Sequence, residues 1–137
     1  MSSAHGKKIR EHLGFLGYEI EDIETEDQSE WFVANSDQKG NIVFKVVPSG
    51  FTLITIRWNG FKKKIVGDKN VLSLLNRLNR ESFISKWTTR ENEADATLII
   101  ETVYEGYDKT IFVTVLEQIE EEMGKGLQEF QRYTKNK

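Results

Sequence analysis

The 137-residue sequence has no cysteine and a single proline, Pro48. Without cysteine, the chain can form no disulfide, thiolate metal site or iron–sulfur cluster, and it has no cysteine nucleophile. A cysteine-free domain must be stabilised by packing, which suits a reducing compartment. We therefore expect a cytoplasmic protein whose stability depends on its hydrophobic core.

Long apolar runs and an excess of positive charge are also missing. No stretch approaches the roughly 18 to 20 apolar residues that a membrane-spanning helix needs. The stretch Met1–Leu16 carries charged residues where a signal peptide needs an apolar segment, so we expect no membrane partner. The formal net charge is −3, whereas domains that bind nucleic acid are usually basic because they neutralise phosphates. The overall charge disfavours that partner, although a local basic patch could override it.

The composition is that of a folded protein, with 38% hydrophobic, 30% charged and 11% aromatic residues. We expect one domain over residues 1–137, because this length is usual for a single domain. Ile9, Leu13 and Leu16 fall on one face of an amphipathic helix, which predicts a first helix over Ala4–Leu16. The acidic stretch Glu19–Glu30 reads as a solvated loop that could open with a short strand over Tyr18–Ile23.

The period then changes to that of strands. Runs of β-branched and aromatic residues, divided by turns at Gly40–Asn41 and Pro48–Gly50, predict a three-stranded antiparallel meander. Its strands are Trp31–Ala34, Ile42–Val47 and Phe51–Trp58, and Asn59–Gly60 ends it.

The second half of the sequence predicts two more helices around a strand pair. Asp68 is the expected N-cap of a helix that reaches Glu81. Lys86–Arg90 and Ala96–Tyr104 follow as strands, and Asp108 caps a long last helix. Gly124 and Gly126 are expected to bend or split that helix, because each glycine costs about 1 kcal/mol relative to alanine. The order α-βββ-α-ββ-α predicts an α+β fold, a mostly antiparallel five-stranded sheet with helices packed on it.

No catalytic centre is recognisable, and we expect a protein that is not an enzyme and has no metal or cofactor. His5 and His12 lie seven residues apart on the first helix, roughly 10 Å along its axis, so they cannot share one metal ion. We expect both on the surface. Gly124-Lys125-Gly126 lies within helical periodicity and is therefore no phosphate loop. Glu101 lies in a strong strand, where an exposed carboxylate is routine.

A basic cluster is the strongest local signal. Lys62, Lys63 and Lys64 follow Trp58 and Phe61, and this patch could extend to residues of the second helix, Arg77 and Arg80. In nucleic-acid binders, lysines neutralise phosphates while aromatic rings stack on bases. Alternatively, the lysines guard a strand edge against pairing with other chains. The three tryptophans lie on strands, where they could belong to the core or to a partner surface.

The helix sequence Val71-Leu72-Ser73-Leu74-Leu75-Asn76-Arg77-Leu78-Asn79-Arg80-Glu81-Ser82, with the strand pair and long helix after it, resembles the YbjN-like family. That family is similar in fold to the type III secretion chaperones. The resemblance implies a non-enzymatic, chaperone-like or regulatory domain, often a homodimer, that binds another protein or a peptide segment. It would place the partner against strand-borne groups, here Trp31, Phe44, Trp58 and Phe61. The alternatives are a nucleic-acid-associated regulator that uses the basic patch, and a small-molecule sensor or enzyme, which would need an enclosed pocket.

Overall fold

The computed structural model describes residues 4–37 and 40–135. This part of the chain contains three α-helices, six strands and one short 3-10 helix at Lys63–Ile65. The elements are α1 (Ala4–Phe15), β1 (Glu19–Ile23), β2 (Glu30–Ser36), β3 (Gly40–Val46), β4 (Phe51–Phe61), α2 (Lys69–Glu81), β5 (Lys86–Glu91), β6 (Ala96–Glu105) and α3 (Lys109–Thr134).

The strands form one sheet in the order β1-β2-β3-β4-β6-β5. The pairs β1–β2, β2–β3, β3–β4 and β5–β6 are antiparallel. The sheet therefore has six strands and not the five that were expected, because the start of the acidic stretch is itself a strand. Glu19, Glu21 and Asp22 are tolerated in β1 because it is an edge strand, where charged side chains remain solvated and prevent further pairing.

The chain folds into two compact units. The first unit comprises the described residues of Met1–Ile56 together with Val103–Val113, and the second those of Arg57–Thr102 together with Thr114–Lys137. The single domain expected over the whole chain stays a prediction.

The core of the first unit is aromatic. Phe32 on β2 and Phe44 on β3 stand opposite each other and their rings stack, with centroids 5.2 Å apart. Phe112, at the start of α3, packs on Phe44 at 6.3 Å between centroids, and the Arg10 guanidinium of α1 lies 4.4 Å from the Phe32 ring centroid. All three phenylalanines are fully buried. One face of β2 and β3 is thus covered by α1 and by the first turn of α3.

The second unit is built around the apolar stripe of α2, whose buried residues are Val71, Leu74, Leu75 and Leu78. Asp68 caps this helix as predicted, because its carboxylate accepts hydrogen bonds from the backbone N–H groups of Asn70 and Val71. Trp87 of β5 is 1% exposed and is held in place by two groups. Its backbone exchanges hydrogen bonds with the Asn79 amide, and its indole N–H donates to the Ser82 hydroxyl at 2.9 Å.

The last helix is continuous, and the prediction that glycines bend or split it is wrong. Asp108 caps α3 as expected, accepting from the N–H groups of Thr110 and Ile111 at 3.0 Å. Gly126 is buried, and a Cβ built there would overlap the six-membered ring of Trp87. A Cβ on Gly124 would meet nothing within 4 Å. Gly126 therefore lets α3 approach the tryptophan closely, and the helical hydrogen bonds continue past it.

Among the described residues, no helix has both the length and the apolar character needed to span a membrane.

Candidate interaction surfaces

The face of β1–β4 opposite Phe32 and Phe44 also carries apolar side chains. Because successive strand residues point to opposite faces, the register places these side chains next to one another. One row runs across Ile23, Trp31, Lys45 and Leu53, and a neighbouring row pairs Val33 with Val43. Ile23 is 39% exposed and the other five are partly buried. We call these six residues the open sheet face.

Trp31 is fixed on the open sheet face by polar contacts. Its indole N–H lies 3.2 Å from each carboxylate oxygen of Asp27, and the Lys45 ammonium lies 4.8 Å from the centroid of its ring. A hydrogen bond from the Ser29 backbone, supported by those from Trp31 and Thr25, lowers the pKa of Asp27 although desolvation opposes it. The Asp27 carboxylate and the Lys45 ammonium thus both contact the Trp31 side chain on this face.

The four aromatic residues expected to bind a partner are divided between the two units, and one of them is fully buried. Phe44 is the correction, since it is fully buried against Phe32 and Phe112 and presents nothing to solvent. It neighbours Lys45 in β3, so strand alternation points it away from Trp31. In the second unit, Trp58 is partly buried, and Phe61 packs edge-to-face on Phe130 with centroids 4.9 Å apart. Only Trp31 of the four lies on the open sheet face.

The predicted basic patch is also divided. Lys62, Lys63 and Lys64 are exposed at the start of the 3-10 helix, and Arg80 is exposed in the last turn of α2. Arg77 is engaged elsewhere: its guanidinium donates to both carboxylate oxygens of Glu129 on α3, at 2.6 and 3.4 Å. Arg77 therefore forms an ion pair between two helices and supplies little free positive charge.

A groove of about 530 Å³ in the second unit joins Phe61 and Lys62 to the C-terminal part of α3. Gln128, Gln131 and Arg132 of α3 line it, as does Lys135 just after the helix, and no lining residue is acidic. We call it the basic groove. The structure thus brings one residue of the predicted basic patch, Lys62, and one of the predicted partner-binding aromatic residues, Phe61, together with two cations, Arg132 and Lys135, that sequence analysis missed.

Glu122 is a titratable residue whose hydrogen bonds have a structural role. Glu122 of α3 accepts hydrogen bonds from the consecutive backbone N–H groups of Phe83, Ile84 and Ser85, at 2.6 to 3.3 Å. Burial alone would raise the pKa of Glu122, but its hydrogen bonds from Ser85, Gln118 and Phe83 lower it overall. The carboxylate thus supplies acceptors for backbone donors between α2 and β5.

His12 is not a simple surface residue, contrary to expectation. Its Nδ1 lies 2.8 Å from the Tyr107 hydroxyl, and its ring packs on Phe112 at 4.9 Å between centroids. Burial, assisted by the charge of Lys109, lowers the pKa of His12. Within residues 4–37 and 40–135, no cluster of three or more histidine or acidic side chains is arranged to hold a metal ion.

The sequence does contain a signal for the residues of the open sheet face that were not predicted to bind a partner. A strand with one solvated face alternates apolar and polar residues, whereas strands covered on both faces read as continuous apolar runs. Trp31-Phe32-Val33-Ala34 and Ile42-Val43-Phe44 are such runs. The basic groove had no comparable signal, because its two halves are about seventy positions apart in the chain.

Comparisons with known proteins bear on the fold. No family model matches the chain, and no curated protein matches its sequence. YbjN from E. coli, described as a candidate transcription regulator, aligns with a TM-score of 0.66 at 15% identity, over 93% of this chain and 91% of that one. An uncharacterised protein from Methanothermobacter thermautotrophicus aligns with a TM-score of 0.69 at 12% identity, over 93% of this chain and 97% of that one. The chain therefore has a YbjN-like fold, which confirms the resemblance at the level of the fold.

Proposed function

We propose that this protein is a non-enzymatic interaction domain that binds a partner polypeptide on its open sheet face. The observation that supports the proposal is the apolar character of β2 and β3 on both faces. Phe32 and Phe44 account for one face, where they form the core of the first unit. Trp31, Val33 and Val43 on the other face are partly buried within the chain and would lose further apolar surface to water on binding.

The residues of the open sheet face suit an interface in kind as well as position. Tryptophan is the side chain most enriched among residues that dominate binding energy. The contacts of Trp31 with Asp27 and Lys45 hold the ring before any partner arrives, so little side-chain freedom is lost on binding. Two charged residues accompany the apolar ones: Glu21 stands opposite Val33, and Lys45 stands between Trp31 and Leu53 in the longer row. Protein interfaces combine apolar and polar groups.

The finer parts of the proposal rest on the resemblance to the type III secretion chaperones. In that mode a partly unfolded segment lies against the sheet of a cytoplasmic dimer, and binding regulates the availability of the partner. A second copy of this chain and a client segment are both polypeptides that the open sheet face could bind. The description of YbjN as a candidate transcription regulator fits a regulatory role but identifies no partner for this chain.

The test is a charge placed at the centre of the open sheet face. Val43→Lys changes a residue flanked by Val33 and Thr55, and leaves the Phe32–Phe44 stack on the other face. Ile111→Lys is the matched control, because Ile111 is an aliphatic residue of the same unit that is 55% exposed on α3. Tagged wild type and variants are expressed in the source cells, and partners recovered in stoichiometric amounts are quantified.

We expect Val43→Lys to reduce partner recovery at least about tenfold, because an unpaired charge in an apolar interface is strongly unfavourable. Ile111→Lys should retain the partner. Equal recovery by the two variants, with both folded by circular dichroism, would rule out the open sheet face as the binding surface.

A further inference from the structure

We propose that the basic groove of the second unit binds single-stranded nucleic acid. The proposal goes beyond polypeptide binding on the open sheet face, because it concerns different residues in a different unit. The groove brings together an aromatic ring, two amides and three cations: Phe61, Gln128, Gln131, Lys62, Arg132 and Lys135.

The groove is a local exception to the charge of the chain. The whole sequence carries a formal charge of −3, whereas the lining of the groove contains three cations and no carboxylate. Glu129 is the only acidic residue between Leu127 and Lys135, and both its oxygens accept from Arg77 of α2. The charge of Glu129 is thus largely offset by an ion pair. The Asp95 carboxylate accepts a hydrogen bond from the backbone of Gly60, a lining residue, at 2.8 Å, so the three cations of the groove outnumber this nearby carboxylate. A polyanion is the partner that such an excess of positive charge favours.

The uncharged lining distinguishes a nucleic-acid strand from other polyanions. Proteins that bind single strands combine cations that contact the phosphates with aromatic rings on which bases stack. Phe61 packs its neighbour Phe130 edge-to-face, at an interplanar angle of 88°, and it is only partly buried. This geometry leaves part of the ring available to a base. Gln128 and Gln131 are exposed and offer amide donors and acceptors to base edges.

A structural role for the same cations makes a different prediction. Cations near the C-terminus of a helix stabilise it through the helix dipole, and Arg132 lies in the last turn of α3. If that were their only role, replacing Arg132 would lower the thermal stability, and the wild-type protein itself would not bind nucleic acid. The experiment therefore measures binding and stability on the same samples.

The probe is a fluorescently labelled oligothymidylate of about 12 nucleotides, within the site sizes of single-strand-binding grooves. Fluorescence polarisation gives its affinity for the full-length protein between about 50 and 200 mM salt. Three phosphate contacts predict a slope of about −2 in a plot of log affinity against log salt, which amounts to roughly a 20-fold loss over this range.

Lys62→Glu and Lys64→Glu form a matched pair, because both are exposed lysines of the same segment and only Lys62 lines the groove. We expect Lys62→Glu to weaken binding at least about fivefold and to make the salt slope shallower, and Lys64→Glu to change affinity less than about twofold. Phe61→Leu keeps an apolar contact with Phe130 but removes the aromatic face, and should weaken binding at least about fivefold. Arg132→Gln provides a second groove variant should Lys62→Glu fail to fold.

Several results would overturn the proposal. These are no binding of the oligonucleotide at the lowest salt, equal effects of Lys62→Glu and Lys64→Glu, an unchanged affinity in Phe61→Leu, and displacement of the oligonucleotide by polyglutamate at equal charge concentration. The last result would identify an acidic polypeptide as the ligand. Val43→Lys should bind the oligonucleotide like wild type, so failure of this proposal and failure of the proposed polypeptide binding are distinguishable.

Discussion

Replacing Gly126 by alanine should have two opposing effects on stability: a gain in helix propensity and a steric overlap with Trp87. Alanine in the interior of a helix is about 1 kcal/mol more favourable than glycine. At Gly126, however, the new methyl group would overlap the ring of Trp87, which is 1% exposed and fixed by Asn79 and Ser82. Overpacking a rigid core costs about 1–3 kcal/mol, and displacing the indole from its hydrogen bond adds about 1 kcal/mol.

We therefore expect Gly126→Ala to lower the free energy of unfolding by about 1–3 kcal/mol after the gain in helix propensity is subtracted. Gly124→Ala is the control two residues away in the same helix, where a Cβ meets nothing within 4 Å. It should be stabilising by about 0.5–1 kcal/mol. Urea denaturation followed by circular dichroism measures both changes, and the thermal midpoints should move in opposite directions by a few °C, at roughly 3–5 °C per kcal/mol.

A double-mutant cycle isolates the contact. In a Trp87→Leu background the ring that obstructs position 126 is absent, so Gly126→Ala should lose most of its destabilising effect and show a coupling energy of about 1 kcal/mol or more. Stabilisation by both glycine replacements in the wild-type background would refute the reasoning, because it would mean that α3 does not approach Trp87 as closely as described.

Three further predictions concern caps and titration. Glu122→Ala removes the acceptor for three backbone N–H groups, so urea denaturation should show that the free energy of unfolding falls by about 1–3 kcal/mol. Glu117→Ala is the control at an exposed position of the same helix and should be nearly neutral. The pKa of Glu122 in the folded protein is lowered from 4.5, so the unfolded state binds more protons in this range. The difference in the free energy of unfolding between wild type and Glu122→Ala should therefore shrink as pH falls below 4.5. A difference that grows there would contradict the lowered pKa. NMR titration should find the pKa of His12 below 6.5, because burial and the charge of Lys109 lower it, and Lys109→Ala should raise it; a value at or above 6.5 would contradict the burial of the ring. Asp68→Ala should cost about 1 kcal/mol of stability in the same denaturation assay, and an unchanged midpoint would mean that the cap contributes nothing.

Helices and inner strands were predictable because their local signals agree with their tertiary environment. Asp68 caps α2 and Asp108 caps α3 as expected, since an aspartate before an apolar periodic stretch has a local reason to accept backbone hydrogen bonds. The strand pair Lys86–Arg90 and Ala96–Tyr104 is confirmed, with each strand one residue longer in the structure. The sequence of β1 predicted mainly an acidic loop, because it shows no clear alternating apolar face. An edge strand can pair with its neighbour without such a face.

The candidate sites were less predictable, because they depend on which face of the sheet a side chain lies on and on contacts between residues that are far apart in the sequence. Trp31 and Phe44 lie on opposite faces because Trp31 pairs with Lys45, the neighbour of Phe44, and this depends on the register of β2 and β3 as well as on strand alternation. The loss of Arg77 from the basic patch depends on Glu129, which lies 52 positions away. The role of Gly126 likewise depends on a ring from another element, and no local propensity reports such an approach.

Photo-crosslinking on the open sheet face tests the central claim most directly. A photoreactive phenylalanine analogue is placed at Val43, and at Ile111 as the control in the same unit, in protein expressed in the source cells. The account predicts a discrete crosslinked polypeptide from position 43, either a second copy of the chain or another protein, and none of that species from position 111. Crosslinking of the same species with equal yield from both positions, or from position 111 alone, would contradict it.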